Sequence, residues 1–353
     1  MPTRRWGRMA ATAALAPVSM AAAGWLYQRA GLHRDAWRYP ERGLLLSRGG
    51  RYLHVVREGT APAAVVFEAG LAATSLSWSR VQPAVAAFAS TISYDRAGLG
   101  WSVPGRPGVP TLSGLLADLD AVTQWAGGGA PVVLAAHSFG ALLALAYARH
   151  SPECVAGLVL VEPVSLETWR HCAEKDQSRL RIGAQLSRRG AWLAEFGVVR
   201  AALALLLHGS ERGGQRWSKL MGRRAAGRGA STLERLAGEV GKLPRELWPE
   251  IAAQWSRAQS FRTMASVLET LPSLANAMGT PTLPPEIPVV ILSAASATAD
   301  ELEERERWLV GSCQREHHIL PGTGHWLPIE QPDAVVEAIR WCVDRLSGVA
   351  SSL

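Results

Sequence analysis

Short apolar runs recur along the chain from about residue 44 onwards, each three to five residues long and bounded by polar or turn-forming residues. Runs of this length with such boundaries are typical of β-strands. Gly49-Gly50 between the first two runs predicts a hairpin, whereas helical segments separate the later runs and suit parallel crossovers. We therefore predict an α/β fold with an eight-stranded, mostly parallel sheet. The predicted strands are Leu44–Ser47, Tyr52–Val56, Ala64–Phe67, Thr91–Tyr94, Val132–Ala136, Leu158–Val161, Val289–Leu292 and His318–Leu320.

Longer segments show apolar residues at helical spacing. Leu112–Trp125 and Pro332–Leu346 are predicted to be helices. Between the sixth and seventh strands, Ser165 to Glu286 has helical periodicity without a strand-like run, and it is too long for a loop. We predict a helical cap above the C-terminal edge of the sheet, where open α/β sheets place their sites. The predicted domains are an N-terminal segment with its linker (1–40), the first part of the core (41–164), the cap (165–286) and the second part of the core (287–353).

The N-terminal segment contains an uncharged run from Met9 to Gln28, preceded by three arginines. This run is about long enough to cross a bilayer as a helix, and Trp25 and Tyr27 lie where an interfacial anchor would be. A single-pass membrane anchor is therefore expected. A signal peptide removed after export is the alternative, because Ala21–Ala23 would suit signal peptidase, and a soluble extension is a third reading. Arginines flank the run on both sides and leave its orientation open.

Composition and charge narrow the class of protein. With 48% hydrophobic and 19% charged residues among 353, the chain is expected to fold rather than to be disordered. The formal net charge is +7, and Arg170–Lys242 holds 15 basic against 6 acidic residues. A basic face of this kind suits anionic lipid, acidic substrates or nucleic acid, although a solvated helical surface is the simpler reading. No nucleic-acid motif accompanies the charge, so nucleic acid is not an expected partner.

The cysteines are widely spaced and show no zinc-binding pattern, so no metal site is predicted. Whether they form disulfides is left open, since pairing depends on the compartment. They are Cys154, Cys172, Cys313 and Cys342.

The segment Val132–Leu142 (VVLAAHSFGAL) reads as an apolar strand, a tight turn around Ser138 and a helix that begins with small residues. It resembles the nucleophile elbow GxSxG of the α/β-hydrolase superfamily, with Ala136 in place of the first glycine. Small residues flank the serine because strand and helix backbones approach closely there. The resemblance implies an α/β-hydrolase fold with Ser138 as the nucleophile.

Two further segments look like parts of the same superfamily in the same order. Phe67–Leu71 resembles the oxyanion loop, with Glu-Ala in place of the usual His-Gly lead, and implies that the backbone N–H groups of Leu71 and Phe139 bind the oxyanion. Tyr94–Ser102 looks like the DxxGxGxS segment after the fourth strand. We interpret this second segment as scaffold, in which Asp95 and Arg96 hold the loop by an ion pair.

Near the end of the chain, His318–Trp326 resembles the last strand and the GxGH loop that carries the catalytic histidine. His325 is therefore the predicted general base. His137, His317 and His318 are expected to pack or to face solvent.

Two residues are candidates for the triad acid, because both follow a strand and both lie between the serine and the histidine in the chain. Glu162 follows the sixth strand directly, where some superfamily members place the acid. Asp300 follows the seventh strand, which is the commoner place, after a longer gap that includes Ser293–Ala299. Each also has a structural reading, Asp300 as a helix-capping or first-turn charge and Glu162 as a strand-end acid.

The resemblance covers roughly Leu44 to Leu346 and implies a serine hydrolase that cleaves an ester or related acyl bond, with no cofactor and a small-molecule substrate. Apolar cap residues such as Trp192, Leu203–Leu207 and Trp217 suggest an apolar acyl group. Acyltransferase and carbon-carbon bond hydrolase activities use the same triad and stay open, because fold does not select among them. Two rivals from other classes are a non-catalytic binding protein at the membrane surface and a basic cap that binds anionic lipid.

Overall fold

The structure, a computed structural model, describes residues 3–39, 42–105, 108–208, 243–279, 283–312 and 314–350. Its centre is an eight-stranded sheet in the order β1-β2-β4-β3-β5-β6-β7-β8. The β1–β2 and β2–β4 pairs are antiparallel, and the remaining neighbours are parallel. The predicted mostly parallel sheet is therefore confirmed. The strands are β1 (Leu44–Arg48), β2 (Arg51–Glu58), β3 (Ala64–Glu68), β4 (Ser90–Tyr94), β5 (Val132–His137), β6 (Val155–Val161), β7 (Val289–Ala294) and β8 (Arg315–Leu320).

The hairpin between β1 and β2 turns at two glycines, as predicted. Gly49 and Gly50 have φ angles of 54° and 79°. Two consecutive positive φ angles are the signature of the tight hairpin turn whose twist matches its strands, and glycine adopts them without steric cost.

Helices lie on both faces of the sheet and connect its parallel strands. They are α1 (Thr3–Arg38), α2 (Gln82–Ala86), α3 (Leu112–Gly127), α4 (Phe139–His150), α5 (Leu166–Arg170), α6 (Glu174–Glu195), α7 (Val198–His208), α8 (Trp248–Trp255), α9 (Ala258–Met278), α10 (Ala299–Leu309), α11 (Leu327–Glu330) and α12 (Pro332–Ala350). Short 3-10 turns cover Ser75–Trp78, Pro152–Cys154 and Arg245–Leu247. The two helices predicted from periodicity correspond to α3 and α12.

The core has two layers because successive strand residues point to opposite faces of the sheet. Val66 and Leu134 pack with α3 and α4 on one face. Val65 and Val133, their neighbours in sequence, pack with α2 and α12 on the other. Burial on both faces explains why the strands read as continuous apolar runs rather than alternating ones.

Helices α5 to α9 come between β6 and β7, and α9 packs along α6. Exposed arginines of α6 form ion pairs at the surface, such as Arg179 with Asp176 and Arg188 with Glu269. This agrees with a solvated helical surface. Residues 209–242, which include Trp217 and the end of the basic stretch, lie outside the described residues. The division into core and cap stays a prediction.

The expected single-pass membrane anchor is wrong. None of the helices in the described ranges is both long and apolar enough to cross a membrane. Helix α1 has the length, but Met9–Gln28 contains eight alanines, which carry little apolar surface. The alternative of a cleaved export signal stays a prediction.

The second half of α1 instead contacts α7 and the turn between α8 and α9 through polar side chains. Gln28 and Asp35 are buried on one face of α1, and both bind Arg200 of α7, at 2.9 and 2.5 Å. Gln28 also donates to the backbone oxygen of Ser256, at 2.9 Å. Residues 28 and 35 are seven apart, so they lie on the same side of a helix. This part of α1 is a packed element of the protein.

Among the described cysteines, Cys154, Cys172 and Cys342 are free thiols. Cys313 lies outside the described residues. Burial raises the pKa of the Cys342 thiol to about 12, which keeps it protonated and unreactive.

Candidate active site

Ser138 lies at the sharp turn between β5 and α4. Its φ of 57° and ψ of −119° are strained for a residue with a side chain, and among the described non-glycine residues only Ser138 and Glu162 have a positive φ. Backbone contacts fix the turn, since the Ser138 N–H donates to the carbonyl oxygen of Val161 on β6 at 2.9 Å. The predicted elbow is therefore present, with Ser138 presented at the carboxyl edge of the sheet.

The small residues of the motif have specific neighbours. A Cβ atom on Gly140 would lie 2.5 Å from the carbonyl oxygen of Ala69 and 2.8 Å from the Cγ of Glu68, so only glycine fits under the loop that follows β3. Ala136, which replaces the first glycine, is fully buried in the central strand. Its methyl group is accommodated there, and the departure from GxSxG leaves the elbow intact.

The structure brings His325 to Ser138, 187 positions away in the chain: the His325 Nε2 atom lies 2.8 Å from Ser138 Oγ. His325 is carried on the loop between β8 and α11. This loop is held at Gly324, whose N–H donates to a carboxylate oxygen of Glu330 at 2.5 Å, and at Thr323, whose hydroxyl donates to Leu320 at 2.7 Å. Sequence reasoning missed that Glu330 holds this loop. Glu330 is the last residue of α11, the short helix that follows the histidine motif.

His137 has a role at the site beyond the packing predicted for it. Its Nε2 atom lies 2.8 Å from the backbone oxygen of His325, so the ring must carry its proton on Nε2 and donate it. Burial, helped by the charge of His325 when protonated, lowers the pKa of His137 to about 3. His137 is therefore neutral and fastens the loop that carries His325. Its Nδ1 atom has no hydrogen-bond partner among the described residues.

The loop after β3 lies beside Ser138. A Cβ atom on Gly70 would lie 3.6 Å from the Cβ of Ser138 and 3.1 Å from His137 Nδ1. Leu71 follows in this loop and packs against the core. Phe139 directly follows Ser138 and begins α4, where the first backbone N–H groups have no partner within the helix. Of the two predicted oxyanion donors, Phe139 therefore directly follows Ser138 in the chain, and Leu71 directly follows Gly70, the residue that lies against Ser138.

Arg96 reaches under this loop and pairs with Glu68. Its Nη1 atom donates to Glu68 and, at 2.6 Å, to the backbone oxygen of Ala69. Its Nη2 atom donates to the backbone oxygens of Gly70 and, at 2.8 Å, of Leu71. Burial raises the pKa of Glu68, and the neighbouring Arg96 opposes that rise.

Asp95 does not form the expected ion pair with Arg96, since each has its own partners. Its carboxylate lies 2.9 Å from His54 Nδ1 and accepts the backbone N–H groups of Ser75 and Trp101, at 2.7 and 2.9 Å. Asp95 is fully buried. It holds the segment after β4 as scaffold, which agrees with the predicted role though not with the predicted partner.

Glu162, the first candidate acid, directly follows β6 and is next to Val161, whose backbone oxygen accepts the Ser138 N–H. Its φ is 44°, and its side chain is buried. The carboxylate accepts the Ala294 N–H at 2.5 Å and both terminal nitrogens of Arg305, each at 3.2 Å. Arg305 is itself buried on α10, a helix in which five of the 11 residues are acidic, and sequence reasoning did not single it out.

Asp300, the second candidate, is an exposed residue in the first turn of α10. Thr298 caps this helix and forms a capping box with Glu301. An acidic residue in the first turn favours the helix dipole, so the surroundings of Asp300 correspond to its structural reading.

His317 and His318 lie on β8 and have partners other than Ser138. His317 is bound by Ser293 and Glu306, and His318 is half-exposed beside Glu316. Within the described ranges, no group of three histidine, cysteine, aspartate or glutamate side chains is arranged to hold a metal ion.

The family model described as "Alpha/beta hydrolase family" matches residues 65–338, most of the chain. The chain therefore belongs to the alpha/beta hydrolase family, and this membership supports hydrolase chemistry in general. Among curated proteins, YqjL of Bacillus subtilis (strain 168), an uncharacterized protein, is 28% identical over 107 residues, which are 30% of this chain and 42% of YqjL. The match thus spans less than half of that relative.

Several solved structures share the fold. A thermophilic esterase from Thermogutta terrifontis is 20% identical with a TM-score of 0.57, covering 85% of this chain and 96% of its own. An alpha/beta hydrolase fold protein from Burkholderia ambifaria is 18% identical with a TM-score of 0.61, covering 84% and 97%. The epoxide hydrolase CorEH is 17% identical with a TM-score of 0.56, covering 86% and 98%. At these identities the likeness concerns the fold alone.

Proposed function

We propose that the protein is a serine hydrolase that cleaves an ester or related acyl bond of a small molecule through an acyl-enzyme on Ser138. The observation that carries the proposal is the 2.8 Å contact between Ser138 Oγ and His325 Nε2 at a strained strand-to-helix turn. A nucleophile within hydrogen-bond reach of a base is the geometry that acyl transfer needs.

The reaction proceeds in two halves. Ser138 gives its proton to His325 Nε2 and attacks the substrate carbonyl carbon, and the Leu71 and Phe139 N–H groups bind the resulting oxyanion. The tetrahedral intermediate collapses as the bond to the leaving alkoxide breaks, and His325 returns the proton to that alkoxide. Water then attacks the acyl-enzyme with His325 again as base, which releases the carboxylic acid and restores Ser138.

A serine nucleophile favours this reaction over the epoxide opening named for one structural neighbour. Attack of a serine hydroxyl on an epoxide carbon would join the substrate to the enzyme through an ether, and water activated by a histidine does not hydrolyse an ether. A carboxylate nucleophile would leave a hydrolysable ester. Ser138 therefore fits acyl chemistry, in which the covalent intermediate is itself an ester.

Glu162 is the proposed third member of the triad. It is buried, it lies one residue after Val161, which binds the Ser138 N–H, and it shares a positive φ angle with the nucleophile. Backbone strain held by the surrounding structure is concentrated at functional sites. Asp300, by contrast, is exposed in the first turn of a capped helix, and it is not among the residues with a positive φ angle.

Fluorophosphonate labelling and turnover of p-nitrophenyl esters of increasing chain length test the proposal. Ser138→Ala is expected to abolish both, whereas Ser187→Ala, a serine buried in α6, serves as the matched control and keeps them. Glu162→Gln should lower kcat by about 10⁴-fold, the loss known for an acid-to-amide change in a triad, and Asp300→Asn should change kcat less than about twofold. A folded wild type that neither labels nor turns over any ester of the series would refute the proposal and favour a non-catalytic binding protein.

A further inference from the structure

The guanidinium of Arg96 binds three backbone carbonyl oxygens in succession, those of Ala69, Gly70 and Leu71. Arg96 is almost fully buried. The loop it binds is the one that lies beside Ser138, so a single side chain determines how three consecutive peptide groups of that loop are turned.

Peptide geometry converts these contacts into the direction of a donor. A trans peptide is planar, and its C=O and N–H bonds point in opposite directions. The peptide between Gly70 and Leu71 directs its C=O towards Arg96. The Leu71 N–H must therefore point away from the guanidinium, and this is the group proposed to bind the oxyanion.

The second proposed donor is also in contact with Arg96. The Cζ atom of Arg96 lies 5.7 Å from the centre of the Phe139 ring, within the range of a cation–π contact. One guanidinium thus contacts both residues whose N–H groups are the proposed oxyanion donors. It also polarises the Gly70 carbonyl, and in a peptide this strengthens the adjoining N–H as a donor.

Glu68 keeps Arg96 in this orientation. Its carboxylate is fully buried and is bound by Arg96 and by the Tyr94 hydroxyl. The guanidinium therefore serves four acceptors at once, one carboxylate and three carbonyl oxygens. A planar fork with five N–H donors can do this, and a lysine ammonium with three donors cannot.

We infer that Arg96, held by Glu68, is a positioning residue that aims the oxyanion hole by fixing the peptide between Gly70 and Leu71. This inference rests on the proposed acyl-transfer function and adds a residue to it. Arg96 acts through the loop and does not touch the substrate. Its loss should therefore weaken binding of the transition state while leaving binding of the ester unchanged.

Arg96→Lys is the decisive variant, since it keeps the buried charge opposite Glu68 and removes the fork. We expect kcat for a p-nitrophenyl ester to fall about 10- to 100-fold, while KM stays within about twofold of wild type. This fall in kcat is no larger than the fall that removal of one oxyanion-hole donor causes. Inhibition by a trifluoromethyl ketone, which forms an oxyanion adduct on the serine, should weaken by the same factor as kcat/KM. A merely structural role would not produce this parallel change.

Arg200→Lys is the matched control, because Arg200 is also a buried arginine in an ion pair but lies between α7 and α1. It should lower the melting temperature while kcat and the ketone inhibition constant stay within about twofold of wild type. Equal losses of kcat in both folded variants would overturn the inference, and so would a folded Arg96→Lys protein with wild-type kcat and ketone affinity.

Glu68→Gln provides a second route if Arg96→Lys does not fold. This substitution preserves the shape of the Glu68 side chain and removes the charge that binds Arg96. We therefore expect kcat and ketone affinity to fall together, with KM unchanged. A folded Glu68→Gln protein with wild-type values would contradict the inference. Wild-type protein without labelling or turnover would instead reject the proposed function, and the inference with it, so the two failures are distinguishable.

Discussion

Gly140→Ala tests whether the close approach of α4 to the loop after β3, the proposed oxyanion loop, matters for the proposed catalysis. The added Cβ would lie 2.5 Å from the Ala69 oxygen, and real Cβ contacts essentially never fall below 3.0 Å. Backbone must therefore shift by at least about 0.5 Å, because the obstructing atom belongs to the main chain of the loop rather than to a flexible side chain. The loop that carries Leu71 would move with it.

Two effects of the substitution are expected. Overpacking should lower the free energy of unfolding by about 1–3 kcal/mol, offset by up to about 1 kcal/mol from the helix propensity of alanine. Displacement of the loop by a fraction of an ångström should lower kcat by about 10- to 100-fold, since misplacement by about 1 Å can cost about 10²-fold.

Ester hydrolysis kinetics and thermal unfolding measure both effects. Gly183→Ala in α6 is the matched control, because its Cβ would meet only the Leu268 side chain, at 3.2 Å, while the gain in helix propensity is the same. Wild-type kcat in a Gly140→Ala protein of unchanged stability would show that the crowding at Ala69 has no functional consequence.

Two further predictions concern groups around the site. Burial lowers the pKa of His137 to about 3 in the folded protein, so between about pH 6.5 and pH 3 the unfolded chain binds a proton that the folded protein does not. As far as His137 is concerned, the free energy of unfolding therefore has its full value above pH 6.5 and decreases as the pH falls towards 3. The free energy of unfolding should drop by up to about 1.4 kcal/mol per pH unit in that window, and His137→Gln should remove this slope in urea titrations, an unchanged slope excluding His137 as its source. Arg305→Ala should lower the free energy of unfolding by about 3–5 kcal/mol, because it leaves the Glu162 carboxylate buried without its cation. The control Arg307→Ala, which removes an exposed ion pair, should lower it by less than about 1 kcal/mol. Similar melting temperatures for the two variants would contradict a stabilising buried pair between Arg305 and Glu162.

The fold could be predicted from the sequence because its elements are defined by short-range periodicity. All eight predicted strands overlap observed ones, and β5 and β7 match within two residues. Apolar runs of this kind report burial on both faces of a sheet, which local composition reveals without knowledge of the partners. Predictions at the ends were weaker, as for β6, which begins at Val155 rather than Leu158.

The candidate site was predictable only in part. Motifs, each of which is a local backbone shape with required small residues, were enough to propose Ser138, His325 and the loop that leads to Leu71. The sequence did not allow a choice between Glu162 and Asp300 as the acid, because both lie between Ser138 and His325 in the chain. It took their surroundings to separate a buried, strained residue from an exposed first-turn charge.

The N-terminal helix shows the same limit. The length of the uncharged run and its terminal aromatic residues favoured a membrane span, but the half of α1 that contains Gln28 and Asp35 binds Arg200 across 165 to 172 residues of chain. A window of sequence reports how apolar a helix is on average. It does not report which polar side chains find a buried partner on another element.

The sequence by itself determined the α/β architecture, the hairpin at Gly49-Gly50 and the motifs that present Ser138 and His325 as candidates. These features arise from backbone geometry and burial within a few residues, so the local pattern carries them. Only the tertiary structure decided that Arg96 binds Glu68 and the loop after β3, and that Arg305 binds Glu162. Such pairs join charges 28 and 143 residues apart, and their energy depends on burial that exists only after the chain has folded.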